Sequence, residues 1–105
     1  GRVDAILIGP DTAANTALAS VSAAAKAAKV PLYLVAGDAK TTGATATLGP
    51  DYPSIGRQTA TVAAKVLEGA APATTAFTRP ESLAPDVNAA TAKALGVTFP
   101  SGGAG

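Results

Sequence analysis

Two loops of this sequence place a carboxylate where an α/β protein can bind a small molecule. The first, residues 9–14, carries Asp11 and Thr12 and follows the short apolar run at residues 3–9, whose branched residues predict a buried strand. Helical spacing begins directly after it. In open α/β sheets, ligands bind at the carboxyl ends of strands, and helix N–H groups can hold a carboxylate or phosphate. The alternative is that Asp11 only caps its helix.

The second loop, residues 48–52, again leads from a predicted strand into a predicted helix. Its Asp51 could receive an ammonium group, and Tyr52 could pack against an apolar side chain; the alternative is a helix cap beside a surface tyrosine. Because parallel strands end at one edge of a sheet, we expect the loops at Asp11 and Asp51 on the same edge. Arg57 could bind a carboxylate bidentately, or it is solvated or holds its helix to a neighbouring element.

The sequence lacks the side chains on which most catalytic and metal sites depend. It contains no histidine and no cysteine, which removes histidine acid–base catalysis, thiol nucleophiles, disulfides and the usual zinc sites. A glycine fingerprint for phosphate and a carboxylate cluster with calcium-loop spacing are also missing. We therefore predict that the chain is not an enzyme and has no catalytic residue, metal or cofactor.

Composition also argues against two classes of partner. Eight basic and seven acidic residues are scattered along the chain without a basic run, so nucleic-acid binding has little support. No apolar run approaches the roughly 20 residues that span a bilayer. The absence of methionine and of a signal peptide predicts a mature fragment, a processed product or part of a longer chain.

The candidate loops are positioned by alternating strands and helices. Apolar strands at residues 3–9 and 32–36 enclose a helix with one apolar face, which predicts a right-handed parallel crossover. The loop at residues 37–40 is a further strand-end candidate of low specificity, and residues 41–43 are predicted as loop. The other predicted elements are a weak strand at 44–48, a helix from 51–54 to Gly69, a short strand at 76–78 and a helix at 89–95 capped by Asn88.

This order predicts an α/β fold of three layers with a mainly parallel sheet. A chain of 105 residues is one domain at most. We therefore predict a single α/β domain or lobe fragment over residues 1–100 and a flexible tail at 101–105.

Residues 44–69, ATATLGPDYPSIGRQTATVAAKVLEG, resemble the ABC-transporter substrate-binding family whose members include tryptophan- and tyrosine-binding proteins. That family typically shows a segment like GxDYxxLGRQTGxxAAKxLxG. The matching positions are Gly49, Asp51, Tyr52, Gly56, Arg57, Gln58, Thr59, Ala63, Ala64, Lys65, Leu67 and Gly69. Residues 4–13, 28–33 and 88–98 resemble other segments of the family in the same order, so the resemblance spans nearly the whole chain.

The sequence departs from the family pattern at three places. Thr12-Ala13 stands where the family has Asn-Thr, and Val35-Ala36 stands where it has Ser-Asp. Pro85-Asp86 is predicted to interrupt a segment that is usually a strand. The resemblance therefore indicates a family without fixing its solute.

The resemblance implies a partial lobe of the periplasmic-binding-protein type, which is flavodoxin-like, from the C-terminal part of a two-lobed receptor. Such a receptor is periplasmic or extracellular, with lipoprotein anchoring open for its full-length form, and hands a small solute such as an amino acid to an ABC permease. Its implied binding residues here are Asp11, Thr12, Asp51 and Tyr52. The carboxylates would receive an ammonium group, Thr12 and helix N–H groups a carboxylate, and Tyr52 the solute side chain.

Two other interpretations remain. A partial lobe leaves strand edges unpaired, and exposed edges pair with other chains. The alternative function is therefore a structural or self-assembling protein, whose partner is a second copy or the missing remainder of a longer chain. A small flavodoxin-like enzyme or nucleotide binder is disfavoured by the absent glycine and histidine motifs.

Overall fold

The computed structural model describes residues 2–100, and their contacts divide the chain into two compact units. The first unit contains the described residues up to Gly49 and those from Ala84 onward, and the second is Pro50–Leu83. The single domain or lobe fragment over residues 1–100 stays a prediction. The tail predicted at residues 101–105 lies outside the described residues.

Four strands form one sheet in the order of the chain, and three of them are parallel. The strands are β1 (Ile6–Ile8), β2 (Leu32–Val35), β3 (Ala46–Pro50) and β4 (Leu83–Val87). β1 and β3 both pair in parallel with β2. The N–H of Asn88 donates to the carbonyl of Thr45, so the end of β4 lies beside the start of β3 and β4 is antiparallel. The predicted α/β fold with a mainly parallel sheet is confirmed.

The predicted helices begin at the predicted capping residues, but there are more helices than the sequence predicts. They are α1 (Thr12–Thr16), α2 (Leu18–Ala27), α3 (Ala39–Thr42), α4 (Tyr52–Leu67) and α5 (Ala89–Leu95), with a 3-10 turn at Pro72–Thr74. The single helix predicted after Asp11 is interrupted at Ala17. Asn88 caps α5 through a hydrogen bond from the Thr91 N–H, as predicted. No helix of residues 2–100 is long and apolar enough to cross a membrane.

Three predictions about local structure are wrong. Residues 76–78 form no strand, and the strand before α5 is β4, which runs through Pro85-Asp86. A proline is tolerated there because β4 lies at the edge of the sheet and needs fewer ladder donors. Residues 41 and 42, predicted as loop, belong to α3, because Asp38 caps the first turn of this helix and Gly43 closes it at a φ of 74°.

The core of the first unit lies on one face of its sheet, under α2. Its buried side chains are Ile8, Ala25, Leu32, Leu34 and Ala44, against which Ile6, Ala14, Leu18 and Val21 pack. The opposite face carries Leu7, Val35 and Leu48, which are 73%, 45% and 49% exposed. Leu7, Val35 and Leu48 on this second face are therefore accessible to solvent.

One buried threonine joins the middle of the sheet to the segment before α5. Thr45 is fully buried, and its N–H donates to the Leu32 carbonyl at 2.7 Å. Its hydroxyl oxygen accepts the Leu32 N–H at 3.1 Å, and its carbonyl accepts the Asn88 N–H at 3.0 Å. Each polar heavy atom of Thr45 therefore has a hydrogen-bond partner, which lowers the cost of burying the residue.

The carboxyl ends of β2 and β3 approach each other closely. The Ala36 N–H donates to the Leu48 carbonyl at 2.9 Å, and Ala36 holds a φ of 68°, which is unusual for a residue with a Cβ. A Cβ built on Gly49 would lie 2.7 Å from the Cα of Ala36. Only glycine therefore fits at residue 49 without moving one of the two strands.

We predict that Gly49→Ala lowers the free energy of unfolding by about 1–3 kcal/mol, because the new methyl group overpacks against backbone atoms. The matched control is Gly56→Ala in α4, where a Cβ would meet nothing within 4 Å. Alanine there should raise stability by about 0.5–1 kcal/mol, since glycine is costly inside a helix. Urea unfolding followed by circular dichroism measures both, and equal effects of the two variants would contradict the close approach.

Candidate functional site

The strand ends of the first unit lie where the sequence predicts a ligand site. Since β1, β2 and β3 are parallel, their carboxyl ends share one edge of the sheet. Asp11 follows β1 at this edge, and Asp38 follows β2. Asp51 comes after the last residue of β3 and belongs to the second unit.

Asp11 caps the first helix, which is the alternative role considered for it. Its Oδ1 accepts the Ala14 N–H at 2.8 Å, from an extended backbone. Thr12 is the first residue of α1, and its carbonyl accepts the Thr16 hydroxyl at 2.8 Å. Asp11 and Thr12 are both exposed, so the cap does not remove the carboxylate from solvent.

The loop after β2 is fixed by two carboxylates. Asp38 accepts the Thr41 N–H at 2.7 Å, and hydrogen bonds from the backbone and then the side chain of Thr41 hold the pKa of Asp38 below its ordinary value. Asp86 of β4 accepts the Ala39 N–H at 2.7 Å. The Thr47 hydroxyl donates to the Gly37 carbonyl, also at 2.7 Å. These contacts hold α3 in place, and they leave Asp38 with a capping role.

Sequence reasoning did not find the role of Asp86. The contact between Asp86 and Ala39 joins residues 47 positions apart. A pattern of neighbouring residues therefore cannot predict it. Its weak sequence signal was an aspartate beside a proline in a segment that the family pattern makes a strand.

Asp51 precedes α4 as Asp11 precedes α1, but the hydrogen bonds of the two side chains differ. It precedes α4 without a side-chain hydrogen bond to a described N–H of that helix. Its own N–H donates to the Ser82 carbonyl at 3.2 Å, and the Ser82 hydroxyl donates to Asp51 Oδ2 at 3.4 Å. Tyr52 follows as the first residue of α4 and is 65% exposed. A carboxylate that does not cap the helix thus directly precedes an exposed tyrosine in the sequence.

Arg57 and Gln58 lie in the next turn of α4. Arg57 is exposed, and the Gln58 side-chain amide donates to the Arg79 carbonyl at 3.1 Å. The Gln58 side chain therefore joins α4 to the segment at Arg79 inside the second unit.

The four predicted binding residues form two pairs, one in each unit. Asp11 and Thr12 are adjacent in the first unit, and Asp51 and Tyr52 are adjacent in the second. Each pair offers a carboxylate that can accept hydrogen bonds from an ammonium group. Among residues 2–100, no group of three or more histidine, cysteine, aspartate or glutamate side chains could hold a metal ion.

Comparisons with known proteins point to one family. The family model described as "ABC transporter substrate binding protein" matches residues 1–102. A crystal structure of a conserved domain protein from Vibrio cholerae O1 biovar El Tor strain N16961 is 33% identical, with a TM-score of 0.70 over 95% of this chain. The chain spans about a third of that structure, 34% of its length. No curated protein matches the chain.

We predict that Asp11→Ala and Asp51→Ala differ in their effect on stability. Asp11→Ala should lower the free energy of unfolding by about 1 kcal/mol, because it removes a capping hydrogen bond. Asp51→Ala should cost less, because it removes only the exposed contact with Ser82. Thermal or urea unfolding compares the two, with Asp11→Asn as a control that keeps a capping side chain and Asp51→Asn as its counterpart of equal size. A larger loss for Asp51→Ala would contradict the assigned contacts.

Proposed function

We propose a solute-binding role in an ABC importer for this chain, which belongs to the ABC transporter substrate-binding protein family. The observation that carries the proposal is the family match over residues 1–102. Proteins of this family bind a small-molecule solute for an ABC transporter and are typically periplasmic or extracellular. Because the chain spans only about a third of its solved relative, the activity of a whole receptor is part of the proposal.

The solute that best fits Asp51 and Tyr52 of the second unit is an amino acid. Asp51 would accept hydrogen bonds from its ammonium group, since the Asp51 carboxylate is not committed to capping α4. The ring of Tyr52, 65% exposed, would cover an apolar side chain of the solute. An aromatic or aliphatic amino acid supplies both groups on one molecule.

The first unit's pair would add polar contacts. The Thr12 hydroxyl can donate to a solute carboxylate, and Asp11 can accept from an ammonium group with the oxygen that does not cap α1. The pair therefore has a weaker claim than Asp51 and Tyr52, because Asp11 already has a structural role.

The partner of such a receptor is an ABC permease, and we place the chain in the periplasm or outside the cell, with lipoprotein anchoring open for a full-length form. We expect no enzymatic activity, because solute transfer requires binding and release without bond chemistry. The self-assembling alternative would use the open sheet face around Leu7, Val35 and Leu48. The family match favours solute binding over it.

Calorimetry or ¹H–¹⁵N NMR of the purified chain with the twenty common amino acids tests the proposal. We expect binding weaker than about 1 µM, because tight pockets bury about 70–90% of a ligand and this chain spans a third of its relative. Asp51→Asn, which keeps the size of the side chain and removes its charge, should weaken that binding about tenfold. Tyr52→Ala should weaken the binding of amino acids with apolar side chains.

The matched control is Lys65→Gln, an exposed charge change in the last turn of α4. This variant should bind as the unaltered chain does. If no amino acid perturbs the resonances of residues 51 and 52, the amino acid proposal is wrong, and if Lys65→Gln weakens binding equally, the assignment to Asp51 is wrong.

A further inference from the structure

A cavity lies in the first unit, away from the strand-end residues described above. It measures about 600 Å³ and runs between α2 and α5. Leu32, the first residue of β2, and Thr45, directly before β3, belong to its lining, so it opens at the amino ends of these strands. Asp11 follows the carboxyl end of β1. The cavity and Asp11 are therefore at opposite edges of the parallel strands.

The cavity exists because the helices around it carry small side chains. Ala25 of α2 and Ala90 and Ala94 of α5 line it, and none of them reaches far into the space between the helices. At one end α2 and α3 touch, since a Cβ on Gly43 would collide with the Ser22 side chain. The cavity is thus closed at the end where Gly43 meets Ser22, and it stays open between α2 and α5.

The floor of this cavity is apolar in its chemistry. Leu32 and Ala25 are buried, and the Thr45 hydroxyl accepts the Leu32 N–H. The side chain of Asn88 is engaged by the Thr91 N–H. A ligand would therefore meet hydrocarbon at Ala25 and Leu32, with the Ser22 and Thr91 hydroxyls beside it, a lining that accommodates an apolar body.

The charges around the cavity are all positive. Lys26, Lys29 and Lys40 are the ionisable residues among its described lining, and all three are exposed. The charge of Lys40 is partly balanced by Asp38, whose pKa it helps to lower, so we consider Lys26 and Lys29 as the contacts of the anion. Exposed lysines over an apolar floor attract a ligand with a negative head group.

We propose that this cavity binds a small organic anion that joins a carboxylate to an apolar body. Its volume of about 600 Å³ falls within the roughly 300–1,000 Å³ of small-molecule pockets. The carboxylate contacts Lys26 and Lys29 at the rim, and the apolar body lies over Leu32 and Ala94. The site is separate from the solute-binding residues proposed above and does not depend on them.

Titration of the ¹⁵N-labelled chain with sodium octanoate, followed by NMR, tests the proposal. The amides of Leu32, Thr45 and Thr91 should shift along a saturable curve, and 1-octanol of the same chain length should bind several-fold more weakly. The double variant Lys26→Gln/Lys29→Gln should lose about fivefold in affinity for octanoate, the size expected from two exposed charge contacts. Ala94→Trp, at an exposed position, should fill the cavity and abolish the shifts.

The matched control is Lys93→Gln, which removes an exposed charge from α5 at a position outside the cavity lining. Its affinity for octanoate should equal that of the unaltered chain, and circular dichroism should show all variants folded. Equal affinities for octanoate and octanol would overturn the proposal. So would octanoate shifts centred on Leu7, Val35 and Leu48, which would indicate unspecific binding to the open sheet face.

Discussion

The complete burial of Thr45 is the constraint on which the rest of the first unit depends. All its polar groups are used, two with Leu32 and one with Asn88. The first two contacts fix β3 against β2, and the third brings the chain back from β4 to the start of α5. A buried hydroxyl without a partner would cost about 1–3 kcal/mol, so this residue favours one arrangement of these segments over its alternatives.

Small side chains explain both what holds the first unit together and what it leaves open. Leu32 and Leu34 of β2 supply the buried bulk under α2. Alanines allow close packing but bury little apolar area. The small side chains also leave the cavity at Ala90 and Ala94 unfilled and the outer sheet face around Leu7 exposed.

Aspartates take different roles because their backbone neighbours differ. Asp11, Asp38 and Asp86 each accept a hydrogen bond from a backbone N–H at the start of a short helix. In each case the negative charge of the carboxylate stabilises the N-terminus of that helix. Asp51 stands before the longest helix without such a contact and instead accepts a hydroxyl. The residue type is the same in all four cases, and the position of the nearest backbone N–H group decides whether the aspartate side chain caps a helix.

The sequence alone determined the features that depend on neighbours along the chain. The strand at residues 6–8, the start of α4 at Tyr52 and the cap of α5 by Asn88 follow from local apolar runs, prolines and capping residues, which act within a few positions. The four candidate residues were likewise found from local pattern and family resemblance. Tertiary structure decided the pairing of β4 through Pro85, the contact of Asp86 with Ala39 and the junction at Thr45. These contacts join residues 13 to 47 positions apart, and their free energy is gained only once distant segments meet.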